Sequence, residues 1–278
     1  MSVFDEAVKA LREWQTDDQP FQLHPGDLGW YRRFGAKAAD DAVRIWHVDG
    51  EIVAVGLLDG TDLLRCTIAP ELRQDFELAQ RLADDVCTPE RGVLPAGTVY
   101  VESPRGTRFQ ELMFERGWQS DEPWTPLRLA LGASSLLDPD VSIEVIGHDQ
   151  ADVHAAVIRA SFEKSTFTEE RWHAMAVGSP YADARSLVAL DRGVAVATII
   201  VWSAGPGRPG LIEPMGVHRD HRGKGFGTAI TIAGAAALRE LGSSSALVCT
   251  PSSNAGAVAT YRAAGFTALP EVFDQRRD

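Results

Sequence analysis

Six residues, Arg222-Gly223-Lys224-Gly225-Phe226-Gly227, stand between an apolar run, Leu211 to Val217, and a long Ala-rich stretch with helical periodicity. Three alternating glycines remove Cβ atoms from the backbone, so successive amide N–H groups can approach a ligand closely. Where such a loop opens a helix, the free amides and the helix dipole favour an anion by ~0.3–2 kcal/mol. Arg219, Arg222 and Lys224 gather positive charge here, offset by Asp220 alone, on a chain whose formal net charge is −12. The segment reads as a cradle for a small polyanion such as a pyrophosphate. A dinucleotide fingerprint fails because Thr228 stands where the third glycine of that motif belongs, and a Walker loop fails because His218 replaces its first glycine.

The 278 residues suffice for two ordinary domains or one large one. With 39 Asp and Glu against 27 Lys and Arg, nucleic acid and anionic membrane surfaces are not expected partners, since both require a basic face. Cys66, Cys87 and Cys249 are far apart and form neither a disulfide nor a zinc pattern, which points to a reducing, cytoplasmic compartment. Met1 to Gln15 has helical spacing, and the absence of a long apolar run predicts neither a signal peptide nor a membrane span. His218 and His221 share a loop without a third ligand nearby, so no metal is expected. Trp46, Trp118, Trp124, Trp172 and Trp202 are scattered, as core and domain-contact residues are, rather than grouped as a stacking platform.

Element order repeats along the chain. In the second half the spacing predicts a strand over Val141 to Ile146, helices over Ala151 to Phe162 and Thr168 to Val177, and a hairpin of Ser186 to Leu190 with Val194 to Trp202. A strand over Leu211 to Val217, the glycine loop, a helix over Thr228 to Leu241, a strand over Ala246 to Thr250 and a helix over Asn254 to Ala264 follow. The first half repeats this as strands Val43 to Val48, Glu51 to Leu58 and Leu63 to Ile68, a helix Asp75 to Val86, a strand Thr98 to Glu102 and a helix Arg108 to Arg116. Asp49-Gly50 between the first two strands is a strong hairpin signal. Both closing helices end in Gly plus an aromatic residue, Gly117-Trp118 and Gly265-Phe266. Overlaying the halves by about 148 residues sets Arg73-Gln74-Asp75-Phe76-Glu77-Leu78 opposite the glycine loop. There the glycines are lost, and Asp75 and Glu77 would repel a phosphate. The expected organisation is a degenerate, non-catalytic domain at 1–131, a linker at 132–140 and a catalytic domain at 141–278.

On these residues the second half resembles the GNAT family of acyl-CoA-dependent N-acyltransferases. Arg222, Gly225 and Gly227 fill its R/Q-x-x-G-x-G/A signature, and Asn254, Ala257, Tyr261, Gly265 and Phe266 fill N-x-x-A-x-x-x-Y-x-x-x-G-F. The resemblance covers about residues 141–278. Residues 1–131 look like a second copy by element order alone, a tandem arrangement similar to the mycothiol synthase type. The implied fold is α/β (α+β), with two tandem GNAT-like domains, each a mixed, mostly antiparallel sheet flanked by helices. One departure is that only twelve residues follow Phe266, so the closing strand is either missing or supplied by the other half.

The resemblance implies acetyl-CoA as acyl donor, with Arg222, Gly223, Lys224, Gly225, Phe226, Gly227 and Thr228 on the diphosphate. It places Met215, Gly216 and Val217, on a strand that splays from its neighbour, against the pantetheine arm. Pro214 and Gly216 within that run already predict interrupted pairing and free amides, one of which could hold the thioester carbonyl. Glu213 alternates onto the face of Leu211 and Met215. It is a candidate general base for an alkylammonium of reference pKa near 10.4, or else a carboxylate in a structural ion pair. Tyr261 lies two turns after Asn254 on one helix face, where the family protonates the departing thiolate; the other reading is a core aromatic. Asn254 can cap its helix and also meet pantetheine. In the first half Leu64, Gly106 and Met113 fall opposite Glu213, Asn254 and Tyr261, which predicts a packing or substrate-shaping task for that half. The expected activity is acetyl transfer to a primary amine of a small molecule. The alternatives are a peptide or protein amine acceptor, or a non-catalytic CoA-binding sensor or interaction module.

Overall fold

A computed structural model describes residues 2–132 and 141–278; of the expected linker, all but Gly132 lies outside the described residues. The first half runs α1 (Val3–Trp14), α2 (Pro25–Tyr31), α3 (Ala36–Ala42), β1 (Val43–Val48), β2 (Glu51–Leu58), β3 (Leu63–Ile68), α4 (Phe76–Cys87), β4 (Val99–Glu102), α5 (Arg108–Glu115) and β5 (Gln119–Ala130). The second runs β6 (Ser142–Val145), α6 (Ala151–Ser161), α7 (Glu169–Ala176), β7 (Ala184–Asp191), β8 (Val194–Ser203), β9 (Gly210–Val217), α8 (Phe226–Glu240), β10 (Ser245–Pro251), α9 (Ala255–Ala263), β11 (Thr267–Ala268) and β12 (Val272–Arg277). Two-residue turns with both φ angles positive, Asp49-Gly50 (50° and 86°) and Arg192-Gly193 (52° and 81°), close the β1–β2 and β7–β8 hairpins. That conformation matches the twist of the flanking strands.

One mixed, mostly antiparallel sheet of twelve strands spans both halves in the order β1-β2-β3-β4-β12-β5-β10-β9-β8-β7-β6, with β11 paired to β5. The halves complete each other. The last strand of the chain, β12, borders β4 of the first half, whereas β5 borders β10 of the second, and β5 and β12 pair at the centre. The closing strand in question after Phe266 is therefore present and donated across. No strand is expected from the sequence over Gln119–Ala130, a stretch that holds Pro123 and Pro126, neither of which can donate to a ladder. Pairing survives through their carbonyls, which accept from the Ser252 N–H at 2.9 Å and the Leu269 N–H at 2.8 Å.

Helices cover both faces. Ile230, Ala233 and Leu238 of α8 are buried against Ile199 and Val201, and Leu82, Phe109 and Met113 of α4 and α5 against Leu64 and Val101. On the other face Leu11 and Leu28 pack on Val55 and Leu57, and Ile158, Trp172 and Met175 pack on Val188, Ile200 and Trp202. One packing detail positions the site. A Cβ on Gly26 would lie 2.6 Å from Trp202 Cβ, and one on Gly29 2.5 Å from Trp202 Cζ3. The two glycines let α2, from the first half, rest directly on β8 of the second.

Candidate active site

α8 starts at Phe226, two residues before the expected Thr228. Its N-cap, Gly225 (φ 84°), has no side chain to offer the first turn, and the first bond of the helix runs from the Ala229 N–H to the Gly225 carbonyl at 3.0 Å. The N–H groups of Phe226, Gly227 and Thr228 are thus left without intrahelical partners. A Cβ at Gly223 (φ 75°) or Gly225 would meet nothing within 4 Å, so left-handed backbone rather than crowding requires glycine there. Gly227 differs: a Cβ would lie 3.0 Å from Thr260 Cγ2 and 3.3 Å from Val217 Cγ2. This glycine serves the packing of α8 against α9 and β9, which corrects the view of three equivalent ligand-facing glycines. The Phe226 ring is buried in the core and Lys224 is exposed. Arg222 donates to the Ser161 carbonyl at 2.7 Å, and Arg219 to those of Ala160 and Arg159 at 2.9 and 3.1 Å. Both guanidiniums close the C-terminus of α6, where the helix dipole favours cations. In the first half the matching helix, α4, is plugged by its own N-cap, since Asp75 Oδ1 accepts from the Leu78 N–H at 2.8 Å.

β9 breaks its pairing where Pro214 predicts. Val201 pairs with Ile212 and Ile199 with Met215, so Glu213 and Pro214 together oppose a single residue of β8. On its other side β9 pairs with β10 only through Gly210 with Ala246 and Leu211 with Leu247, beyond which the pairing ends. Met215, Gly216 and Val217 stand past that point. Gly216 is held against α6, where a Cβ would fall 2.6 Å from Ser161 Cβ.

A cavity of about 510 Å³ lies beside this gap. Of the candidate catalytic and cofactor-binding residues, Glu213, Met215, Asn254 and Tyr261 line it; Gly216, Val217 and Arg222 to Thr228 do not. Asn254 caps α9, accepting from the Ala257 N–H at 3.1 Å, and still faces the cavity. Tyr261 is 5% exposed and its phenol makes no hydrogen bond among the described residues. Burial first, and then the charge of Glu213, raises its pKa, so the phenol stays protonated at neutral pH. The Trp202 indole N–H fixes the Glu213 carbonyl at 2.7 Å.

The first half contributes what sequence reasoning missed. Leu64, the residue expected opposite Glu213, is buried in the core, and its neighbour Arg65 points from the other strand face into the cavity. The Arg65 guanidinium bonds Asp27 Oδ1 at 2.9 Å and both oxygens of Glu102, at 2.7 and 3.4 Å. Asp27 Oδ2 also accepts from the His24 N–H at 2.6 Å. His24 holds Asp27 while staying neutral: Nδ1 accepts from the Gly26 N–H at 2.9 Å, Nε2 faces the Pro209 carbonyl at 3.1 Å, and burial lowers its pKa to about 4. Glu213 adjoins Asp27. Burial, then the Asp27 charge, raises Glu213 well above the carboxylate range against the pull of Arg65. Burial would raise Asp27 as well, yet Arg65 and then the adjoining Glu213 carboxyl lower it. Of the two carboxyls, Glu213 is thus the one that more readily takes a proton. A faint signal existed, for Arg65 and Glu102 are opposite charges at paired positions of two otherwise apolar strands.

Asp274 reaches the same cavity from β12. Burial, then the Glu102 charge, pushes it up to about 7 against the pull of Arg65. A carboxyl whose folded pKa is raised binds more protons folded than unfolded, so its cost to stability accrues as pH rises from its unfolded value, near 4, to about 7. Asp274→Asn is accordingly expected to raise the melting temperature, and by more at about pH 8 than at about pH 5. Thermal unfolding of both proteins at the two pH values checks this; an equal or smaller gain at high pH would contradict it.

Residues 154–266 match the family described as Acetyltransferase (GNAT) family. Among solved structures, the chain is similar to a GNAT-family acetyltransferase from Colwellia psychrerythraea, at 12% identity over 100% of this chain and 98% of that one, TM-score 0.66. A tandem GNAT protein from the clavulanic acid biosynthesis pathway aligns at 16% identity over 99% and 93%, TM-score 0.63. A GCN5-related N-acetyltransferase from Sphaerobacter thermophilus aligns at 21% identity over 82% and 78%, TM-score 0.57. No curated protein matches the chain. Among the described residues no group of three or more His, Cys, Asp or Glu side chains is placed to hold a metal ion, and no helix is long and apolar enough to cross a membrane.

Proposed function

We propose that this protein transfers an acetyl group from acetyl-CoA to a primary amine of a small molecule, since residues 154–266 match the GNAT acetyltransferase family and the whole chain shares its fold with a tandem GNAT protein. The reading rests on one observation: a single cavity, walled by both β9 and β10 where they part, holds Glu213 and Tyr261 together. The uncapped first turn of α8, with Lys224, suits the diphosphate, and Met215, Gly216, Val217 and Asn254 suit the pantetheine arm. Bound there, acyl-CoA supplies an activated acyl carbon. A volume of about 510 Å³ enclosed by both halves favours a small acceptor over a polypeptide.

Burial and Asp27 favour the protonated form of Glu213 in the cavity, and an entering alkylammonium provides the counter-charge that lets this proton pass to solvent. The carboxylate then accepts the ammonium proton as the amine nitrogen bonds to the acyl carbon and the C–S bond breaks. An amide of the Met215–Val217 segment steadies the charge growing on the carbonyl oxygen. Tyr261 gives its proton to the departing sulfur and regains one shed by the new amide nitrogen. The two groups act in concert, because Glu213 ceases to oppose ionisation of Tyr261 once it is protonated. A reducing, cytoplasmic setting fits three free cysteines.

Tyr261→Phe is expected to lower kcat about 10²-fold while CoA affinity stays within about twofold. Steady-state kinetics and calorimetric titration check both. Unchanged turnover removes Tyr261 from its role, and acetyl-CoA binding without release of free CoA over a broad amine panel overturns the activity itself.

A further inference from the structure

The acceptor side of the cavity is lined mainly by acids drawn from both halves of the chain. Its lining includes Asp59 from the end of β2, Glu102 of β4, Glu213 of β9 and Asp274 of β12, with Arg65 as the only basic residue among the described residues. Arg65 is already committed, since its guanidinium N–H groups go to Glu102 at 2.7 and 3.4 Å and it forms an ion pair with Asp27 Oδ1 at 2.9 Å. Neither Asp59 nor Asp274 has an ion-pair partner among the described residues. The space is nevertheless built to receive a polar molecule: Tyr261, 95% buried as the complement of its 5% exposure, presents an unpartnered phenol to it. Phe21, Trp124 and Phe162 add aromatic surface to the same lining, and such faces attract cations.

We infer that the acceptor is a small organic dication, one amine of which reacts beside Glu213 while a second cationic centre pairs with the carboxylates of Asp274, Asp59 and Glu102. The inference rests on the acyl-transfer reading above and adds the class of acceptor. A monocation would satisfy Glu213 and leave the Asp274 end unpaired, and an anionic acceptor would meet repulsion throughout. Burial among other carboxyls, which pushes Asp274 up to about 7, is what a carboxylate awaiting a counter-charge experiences. Sequence position explains why one motif could not reveal this: the acids come from three strands and the segment just after β2, in two halves joined by the strand exchange.

The test measures kcat/KM of the full chain with acetyl-CoA and putrescine, cadaverine or spermidine, against butylamine and γ-aminobutyrate. At least one diamine or polyamine is expected to exceed butylamine by about tenfold or more, with γ-aminobutyrate the poorest. In Asp274→Asn the ratio of that amine to butylamine is expected to fall toward one. Equal kcat/KM for butylamine and the diamines, or an unchanged ratio in the variant, overturns the dication while leaving acetyl transfer standing. Release of free CoA with none of the amines, from protein that binds acetyl-CoA, overturns both.

Discussion

Arg65→Met lowers the unfolding free energy by about 3–5 kcal/mol, the usual cost of removing one partner from a buried charge cluster. The side-chain volume is nearly conserved, so the loss is electrostatic. Arg65 joins Asp27 on α2 to Glu102 on β4, and the same guanidinium field restrains the pKa of Glu213 on β9. Without it three enclosed carboxyls face one another. The folded pKa values of Glu102 and Glu213 then rise further above the unfolded ones and that of Asp27 loses what holds it down, so the deficit is smaller at about pH 5, where protonation relieves it, and grows toward about pH 8. Urea unfolding at both pH values measures it. In the double variant Arg65→Met, Glu102→Gln, part of the loss should return, since one of the stranded charges is gone. A deficit below about 1 kcal/mol at both pH values would mean that the cluster is solvated and that the first half does not set the charge state of Glu213.

The parts of this molecule legible in the sequence are those fixed by neighbours along the chain. β1, β2 and β3 coincide with their expected limits, because alternation and Asp49-Gly50 are local signals. The glycine loop was legible for the same reason: left-handed backbone and an uncapped first turn need no distant partner. The strand break at Glu213-Pro214 follows from proline chemistry alone. What was not legible depends on pairing across the chain. β5 hides behind two prolines, and its place between β10 and β12 follows from an exchange that no periodicity encodes. Arg65, Asp27 and Asp274 become site residues only through that exchange and through the approach of α2 allowed by Gly26 and Gly29. The overlay put Leu64 opposite Glu213, whereas the offset that relates Gly106 to Asn254 and Met113 to Tyr261 puts Arg65 there; a slip of one residue on a strand inverts which face a side chain occupies.

Gly225→Glu abolishes CoA binding, with an expected loss of affinity of about 10²-fold or more if two charge-assisted amide bonds to the diphosphate are forfeited. Folding should survive. A Cβ at Gly225 meets no atom within 4 Å, so the cost to stability is the left-handed backbone, about 1–2 kcal/mol. The carboxylate does the damage, by standing over N–H groups that the diphosphate would otherwise receive. The first half displays a similar arrangement in its native form, because Asp75 takes the first-turn amide of Leu78 in α4 and sets a carboxylate where an anion would otherwise approach. Gly225→Ala separates the two effects, since it keeps the backbone strain but brings no charge and should cost far less affinity. Calorimetric titration with CoA, paired with thermal unfolding, reads all three proteins. Normal affinity in Gly225→Glu would place the nucleotide elsewhere and remove the cradle from the mechanism, while equal losses in the two variants would assign the effect to backbone geometry rather than to charge.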